Sequence, residues 1–252
     1  MIEARQKQIL DYLKLHNLVT VEELSDLTKV STATIRRDLV RLDKAGLIYR
    51  VHGSVSLNRF VQQQPSTSEK VTQHHSEKSR IGLKAASLIK NGDSIVLDAG
   101  TTTLEIAKNI KADNVTVITP DLHIGLFLTT MGRCRVLITG GPVDNKSQSC
   151  IGNDCIEMLH QFCPSLVFMA CNSFTLESGI TAPTYDKCQV KQALASINAK
   201  KILTADSSKY GLSSLYKICA LDVFDSIITD ADLDAQAQKE IGTLEHTELI
   251  LV

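Results

Sequence analysis

Residues 30–39 read Val30-Ser31-Thr32-Ala33-Thr34-Ile35-Arg36-Arg37-Asp38-Leu39. Ser31 is of the type that caps a helix start, its side chain accepting from the first-turn backbone. Ile35, Leu39 and Leu42 then return at i, i+4 and i+7, which predicts a helix over 32–45 with one apolar face and Gly46 at its end. Upstream, Thr20-Val21-Glu22-Glu23 is a capping box that opens a short helix over 21–27. Ile9, Leu10, Leu13 and Leu15 mark a first helix over 3–16, which Asn17 ends. Three short helices with a tight turn between the last two form a helix-turn-helix.

The other face of the third helix carries Ser31, Thr32, Thr34, Arg36, Arg37 and Arg41. Hydroxyls and guanidiniums in the N-terminal half of such a helix are what a major groove accepts: Arg bridges two guanine acceptors or clamps a phosphate, and a threonine methyl touches thymine. Read instead as a solvated face, these would be ordinary surface charges, with Asp38 pairing locally. The next residues favour the groove. Leu47–Val51 and Ser54–Leu57 read as strands of a hairpin turning at His52-Gly53, a wing whose Arg50 and His52 are placed for phosphates or the minor groove.

Charge agrees with this division. The whole chain has 252 residues and a formal net charge of −1, which argues against coating nucleic acid by bulk charge. Residues 1–60, however, hold 10 Lys/Arg against 7 Asp/Glu, leaving 17 against 21 for the rest, so the first segment is +3 and the remainder −4. Between them Gln62–Ser76 is polar, contains Pro65 and lacks periodicity, the composition of an exposed connection. His74 and His75 there have no Cys or carboxylate cluster nearby, so no metal is expected. The seven cysteines are odd in number and show no C-x-x-C pair, so neither a disulfide framework nor a zinc knuckle is expected, and each is read as a buried thiol. Trp is absent and aromatics are 4%, too few for a base-stacking platform. No uninterrupted apolar run is of spanning length and the N-terminus has no secretory h-region, so a cytoplasmic protein without membrane association is expected.

From Glu77 onward short β-rich runs (94–98, 115–119, 135–139, 166–171, 201–205, 226–229, 248–252) alternate with helical patterns (78–90, 103–110, 121–131, 151–161, 186–198, 233–241). Alternation implies crossover connections and a mostly parallel sheet covered on both faces. The fold class is therefore α/β: a winged helix-turn-helix domain over 1–58, a linker over 59–76, and a larger Rossmann-like domain over 77–252. Ligands of such sheets sit beyond the carboxyl ends of the strands. There, Asp98-Ala99-Gly100-Thr101-Thr102-Thr103 turns a strand into a helix, with a close-approach glycine, three hydroxyls and free helix N–H groups, a cradle for phosphate. It could equally be a plain capping loop. Other strand ends bring Gly140, Gly141, Lys146, Ser147 and Ser149, then Asp206 and Lys209, with Lys191 in a helix. Carboxylates there can accept from sugar hydroxyls while lysines balance phosphate charge.

The chain resembles the DeoR family of bacterial transcription regulators. The resembling residues are Arg5, Ile9, Val19–Leu24, the stretch Val30–Leu39, Leu42, Gly46, Leu47 and His52-Gly53, then Glu77-Lys78 with Ile81, Asp98–Thr103, Val117-Ile118-Thr119, Gly140-Gly141, Ser147, Ser149 and Gly152, Gly179, Thr181, Val190-Lys191, Asp206–Gly211 and Ile228-Thr229-Asp230. The resemblance implies an effector domain similar to sugar-phosphate isomerases, responsive to phosphorylated sugars or related metabolites, with Lys78 joining the effector set. Three departures stand out: Ser54 where a second wing glycine is usual, Pro120 where Asn is usual, and Ala170-Cys171-Asn172-Ser173 where a Gly-x-x-Gly segment is usual. The last puts larger side chains beside the expected pocket.

The expectation is a sequence-specific DNA-binding regulator, a repressor of a carbohydrate-utilisation operon, controlled by a phosphorylated sugar or polyol and requiring no cofactor. One winged unit reads few bases, so a homodimer or homotetramer on a spaced double-stranded operator is expected. Two alternatives are a constitutive DNA binder without effector control, which the Ala170–Ser173 departure favours, and an isomerase-like enzyme with Asp98, Asp206 or Lys191 as acid or base. No paired carboxylate or His motif singles out such a base, so the chain is not expected to be an enzyme.

Overall fold

The computed structural model describes residues 4–16, 19–45, 47–51, 54–56, 59–60 and 66–252, and divides into two compact units. In the first unit, α1 (Ala4–Leu15), β1 (Val19–Thr20), α2 (Val21–Thr28), α3 (Thr32–Lys44), β2 (Tyr49–Val51), β3 (Ser54–Ser56) and β4 (Arg59–Phe60) follow in order. The capping box forms as its sequence requires: Glu23 N donates to Thr20 Oγ1 at 3.2 Å, and Thr20 N donates to Glu23 Oε2 at 2.6 Å. Lys29 adopts the left-handed conformation (φ 56°) that turns α2 into α3, and Thr34 N donates to the Ser31 side chain that caps α3. The helices close over Ile9, Leu13, Leu24, Ile35, Leu39 and Leu42, with Ile48 and Val55 adding the sheet's contribution. β3 lies between β1 and β2 in a three-stranded antiparallel sheet, a strand more than the expected hairpin. Gly46, His52 and Gly53 lie outside the described residues.

In the second unit come α4 (Thr67–Thr72), α5 (His75–Ala86), β5 (Ser94–Leu97), α6 (Thr101–Lys108), β6 (Thr116–Thr119), α7 (Leu122–Met131), β7 (Arg135–Ile138), β8 (Val143–Asp144), β9 (Ser149–Cys150), α8 (Gly152–His160), β10 (Leu166–Ala170), β11 (Ser173–Thr175), β12 (Gly179–Ala182), α9 (Tyr185–Ser196) and β13 (Lys200–Thr204). β14 (Leu212–Ser213), which groups with the first unit and pairs in parallel with β4, is followed by β15 (Tyr216–Cys219), β16 (Ser226–Thr229), α10 (Ala235–Ile241) and β17 (Glu248–Leu251). Seven strands pair in the order β17-β16-β13-β10-β5-β6-β7, and every pairing is parallel.

Alternate residues of the central strands face opposite layers. Val96, Val167, Met169 and Leu203 enter one core, while Ile95, Leu97, Phe168 and Ile202 enter the other. A smaller antiparallel sheet, β11-β12-β15, sits outside the periodic pattern on which the strands were expected. Two expectations are corrected. The segment 59–76 holds a capped helix, α4, and the start of α5, because Ser66 and Glu69 form a capping box there. Cysteine burial is uneven: Cys150, Cys155 and Cys188 are buried, Cys134, Cys171 and Cys219 half-buried, and Cys163 exposed in the turn after α8.

Candidate functional site: a lysine-lined cavity and an exposed helix face

The order of the sheet reverses between β5 and β10, since the chain runs outward from β5 through β6 and β7 before returning to β10. Such a switch point leaves a crevice beyond the strand ends. A cavity of about 640 Å³, its open mouth included, occupies it. The chain supplies Asp98, Gly100, Thr101 and Thr102 after β5, Pro120 after β6, Cys171 and Asn172 after β10, and Asp206 and Lys209 after β13. Helices contribute Lys70 from α4, Lys78 from α5, and Lys187 and Lys191 from α9, and Ser149 of β9 adds a hydroxyl. Five lysines thus share a lining with two carboxylates.

Asp98 is fully committed. One oxygen accepts from Ala99 N at 2.7 Å; the other accepts from Ala170 N at 3.0 Å and from the Lys191 ammonium in a close ion pair. Lys191 also donates to Ala170 O at 2.7 Å, so this buried pair fixes β5, β10 and α9 around the cavity. Asp206 differs. It is 1% exposed, one oxygen accepts from the Ser208 hydroxyl, and Oδ2 has no hydrogen-bond partner among the described residues. A buried carboxylate oxygen left unmatched in a cavity wall is an acceptor awaiting a hydroxyl.

Burial holds several of the amines below their ordinary range. Lys70 is pushed down from 10.5 to about 7 by burial first, then by repulsion from Lys187, Lys191, Lys209 and Lys78. Burial lowers Lys78 as well, with Asp206 opposing, and lowers Lys187, with Lys191 adding to it and Asp144 opposing. Lys187 Nζ stands 3.4 Å from Asp144 Oδ2 and 3.3 Å from Ser149 Oγ. Across the cavity Gly100 makes a close approach: a Cβ there would lie 3.0 Å from the Ala170 methyl, so one of the two would have to give way. An anion entering this space meets ammonium groups and a helix start together.

Of the effector residues expected from sequence, Lys78, Asp98, Gly100, Thr101, Thr102, Ser149, Lys191, Asp206 and Lys209 line the cavity. The others do not. Thr103 is fully buried, its hydroxyl donating to Asp98 O at 2.6 Å and Gly100 O at 2.9 Å, so it builds the loop from behind. Gly140, Gly141 and Lys146 are exposed and off the lining. Ser147 is buried but spent on Asp144, to which its hydroxyl donates at 2.5 Å. Lys70, Lys187 and Asn172 complete the lining without having been expected in it. Lys70 lay in a stretch read as linker, and no sequence pattern distinguishes Lys187 from a solvated helix lysine. Ala170 and Asn172 show what the departure from Gly-x-x-Gly does: the first closes on Gly100, and the second accepts from Lys70 Nζ at 3.0 Å.

In the first unit, Ser31, Arg36, Arg37 and Arg41 of the α3 region are exposed, and Thr32 and Thr34 half-buried. Asp38 points the other way. It is 2% exposed and accepts from Arg5 Nε at 2.5 Å, tying α3 to α1 and not to its neighbours on the exposed face. Arg50 lies on β2; His52 lies outside the described residues. Among the described residues no group of three or more His, Cys, Asp or Glu is placed to hold a metal ion, and no helix is long and apolar enough to cross a membrane.

A helix-turn-helix unit carried on the same chain as an α/β unit with a cationic cavity defines a transcription regulator with a sensor. The profile of the DeoR-like helix-turn-helix domain matches residues 5–60, and that of the DeoR C-terminal sensor domain matches residues 73–231. The chain belongs to the DeoR family. It is 36% identical to an HTH-type transcriptional regulator of Haemophilus influenzae over 100% of this chain and 98% of that one, and 36% identical to the regulator YgbI of Escherichia coli over 96% and 95%. The repressor GlcR of Bacillus subtilis is 34% identical, over 90% of this chain and 88% of its own.

Proposed function

We propose that this transcription regulator is a repressor of a carbohydrate-utilisation operon, acting in the cytoplasm as a homodimer or homotetramer, and that a phosphorylated sugar or polyol bound in the second unit controls it. The observation that carries the reading is the cavity's composition: five lysines for a phosphate, and beside them the unmatched Asp206 Oδ2, an acceptor suited to a sugar hydroxyl. That GlcR of Bacillus subtilis is a repressor supports the sign of control. Ser31, Thr32, Thr34, Arg36, Arg37 and Arg41, with Arg50 and His52 of the wing, are the proposed DNA contacts.

A regulatory role suits the site better than isomerisation. Isomerisation needs a carboxylate or amine free to take a carbon-bound proton; Asp98 and Lys191 are engaged with each other and with backbone, which leaves Asp206 as the one carboxylate of the lining with an open oxygen. Control without a ligand is disfavoured by the same cavity, since a protein with nothing to bind gains nothing by burying lysines together. Footprinting on promoter fragments of its own genome, with and without a panel of sugar phosphates, tests the reading. A protected site whose occupancy a sugar phosphate changes is the expected result; no protection under any condition overturns it.

A further inference from the structure

We propose that Lys70 is the contact through which an anionic ligand group in the cavity holds α4 in place, so that this short helix, the first described element after β4, registers whether the cavity is filled. The inference rests on the cavity being the ligand site.

α4 lies against α6 and is otherwise held, among the described residues, by polar contacts. It spans six residues, none of them buried, and a helix of that length has no stability of its own. Its hydrogen bonds to the rest of the unit lie at its start and along its second half. At the start, Thr67 N donates to Lys146 O at 3.0 Å and Thr67 Oγ1 to Ser147 O at 3.1 Å, on the connection between β8 and β9. At the end, the Lys78 ammonium donates to Lys70 O and Gln73 O, each at 2.6 Å. In between, one side chain reaches into the cavity wall: Lys70, whose Nζ donates to Asn172 Oδ1.

That amine is the least comfortable group in the lining. Burial acts on it most, and Lys187 and Lys191 from α9, Lys209 after β13 and Lys78 from α5 add their repulsion. Asp206 and Asp98 are the carboxylates of the same lining, and Asp98 is already neutralised by Lys191. A phosphate among these ammoniums replaces repulsion with attraction and draws Lys70 inward. The backbone carbonyl of Lys70 is itself an acceptor for Lys78, so α4 and α5 tighten together. Asn172 is the neutral partner that positions the Lys70 amine for this contact.

Hydrogen exchange on the full chain reads the effect directly, with inorganic phosphate and glucose 6-phosphate as probes. At saturation, exchange should slow about fivefold or more, the lower end of typical coupling between linked sites, both at residues 101–103 and at residues 66–73. In Lys70→Met the slowing at 101–103 should persist and that at 66–73 should disappear, while Lys70→Arg should keep both. Slowing at 101–103 alone in the unmodified protein, or at both segments in Lys70→Met, would overturn the role of Lys70 and leave the cavity as the ligand site. No slowing at either segment with either probe would overturn the cavity reading and this inference with it. If Lys70→Met fails to fold, Asn172→Ala replaces it, with weakened slowing at 66–73 expected and undiminished slowing overturning the proposal.

Discussion

Asp98 and Asp206 are both buried carboxylates at strand ends, yet their surroundings give them opposite tasks. Asp98 spends both oxygens on the protein and pairs with Lys191. Removing one member of a buried pair leaves the other charged and unmatched, at a cost of about 3 to 5 kcal/mol. Asp98→Ala is therefore expected to lower stability by about 3 kcal/mol or more in urea unfolding. Asp206 Oδ2 accepts no hydrogen bond among the described residues, so Asp206→Asn should cost less than Asp98→Ala in stability and more in ligand affinity. Calorimetric titration with sugar phosphates beside the same unfolding curves would check the contrast, and equal effects in both assays would refute the division. Sequence marked the two aspartates as equivalent candidates, because residue type and strand-end position are the same. What separates them is which backbone N–H groups and which lysine reach each one, and that is decided by β10 and α9, distant in the chain.

At the scale of elements, α5 and α6 meet where Gly82 touches Glu105. A Cβ at Gly82 would lie 2.6 Å from Glu105 Cβ and 2.7 Å from its carbonyl carbon, too close for either helix to remain in place. Gly82→Ala is expected to destabilise by about 1 to 3 kcal/mol through overpacking. It should also weaken ligand binding, because α5 carries Lys78 and α6 begins at Thr101. Thermal melts with and without phosphate would show both effects. In the first unit the relevant pair is the face of α3: Arg36→Ala and Arg37→Ala should each reduce operator affinity. A base-reading arginine costs about 1 to 3 kcal/mol and relaxes sequence preference, whereas a phosphate-binding one lowers the salt slope by about 1. Gel-shift titrations over a salt series distinguish these, and unchanged affinity in both variants would remove α3 from the interface.

Elements of this kind were the most legible part of the chain. The strands at 94–97, 116–119, 135–138, 166–170, 200–204, 226–229 and 248–251 fall within a residue of the positions expected, since β-rich runs bounded by helical patterns leave little choice of register. β11, β12 and β15 were missed because three- and four-residue strands amid polar turns carry no period of their own. α4 was missed although its capping box, Ser66 to Glu69, is written in the sequence; the surrounding polarity outweighed it. Of the five cavity lysines, Lys78, Lys191 and Lys209 were expected there, whereas Lys70 and Lys187 were not, because a lysine is ordinarily solvated and only the folded sheet brings these two to the lining.

For the molecule as a whole, the charge state of Lys70 sets how ligand binding responds to acidity. The groups facing it are Lys78, Lys187, Lys191 and Lys209, with Asp206 and Asp98 in the same lining. Its amine, lowered to about 7, is charged below that value and neutral above it. A bound phosphate favours the charged form, so affinity for a sugar phosphate should fall as pH rises from about 7 to about 8.5, a range over which the phosphate monoester is already largely dianionic. Binding isotherms across that interval should show the decline, and Lys70→Met should flatten it.

The parallel sheet has a temporal consequence. β10 must insert between β5, some seventy residues earlier, and β13, while β17, an edge strand of the same sheet, follows them in sequence at 248–251. The three helices of the first unit, in contrast, pack on neighbours within their own short stretch. During synthesis the operator reader has its helical core almost two hundred residues before the sensor can close its sheet. A chain whose translation stops early would carry a formed helix-turn-helix core without its sensor unit, so prompt destruction of incomplete copies matters more for this regulator than for one whose sensor is made first.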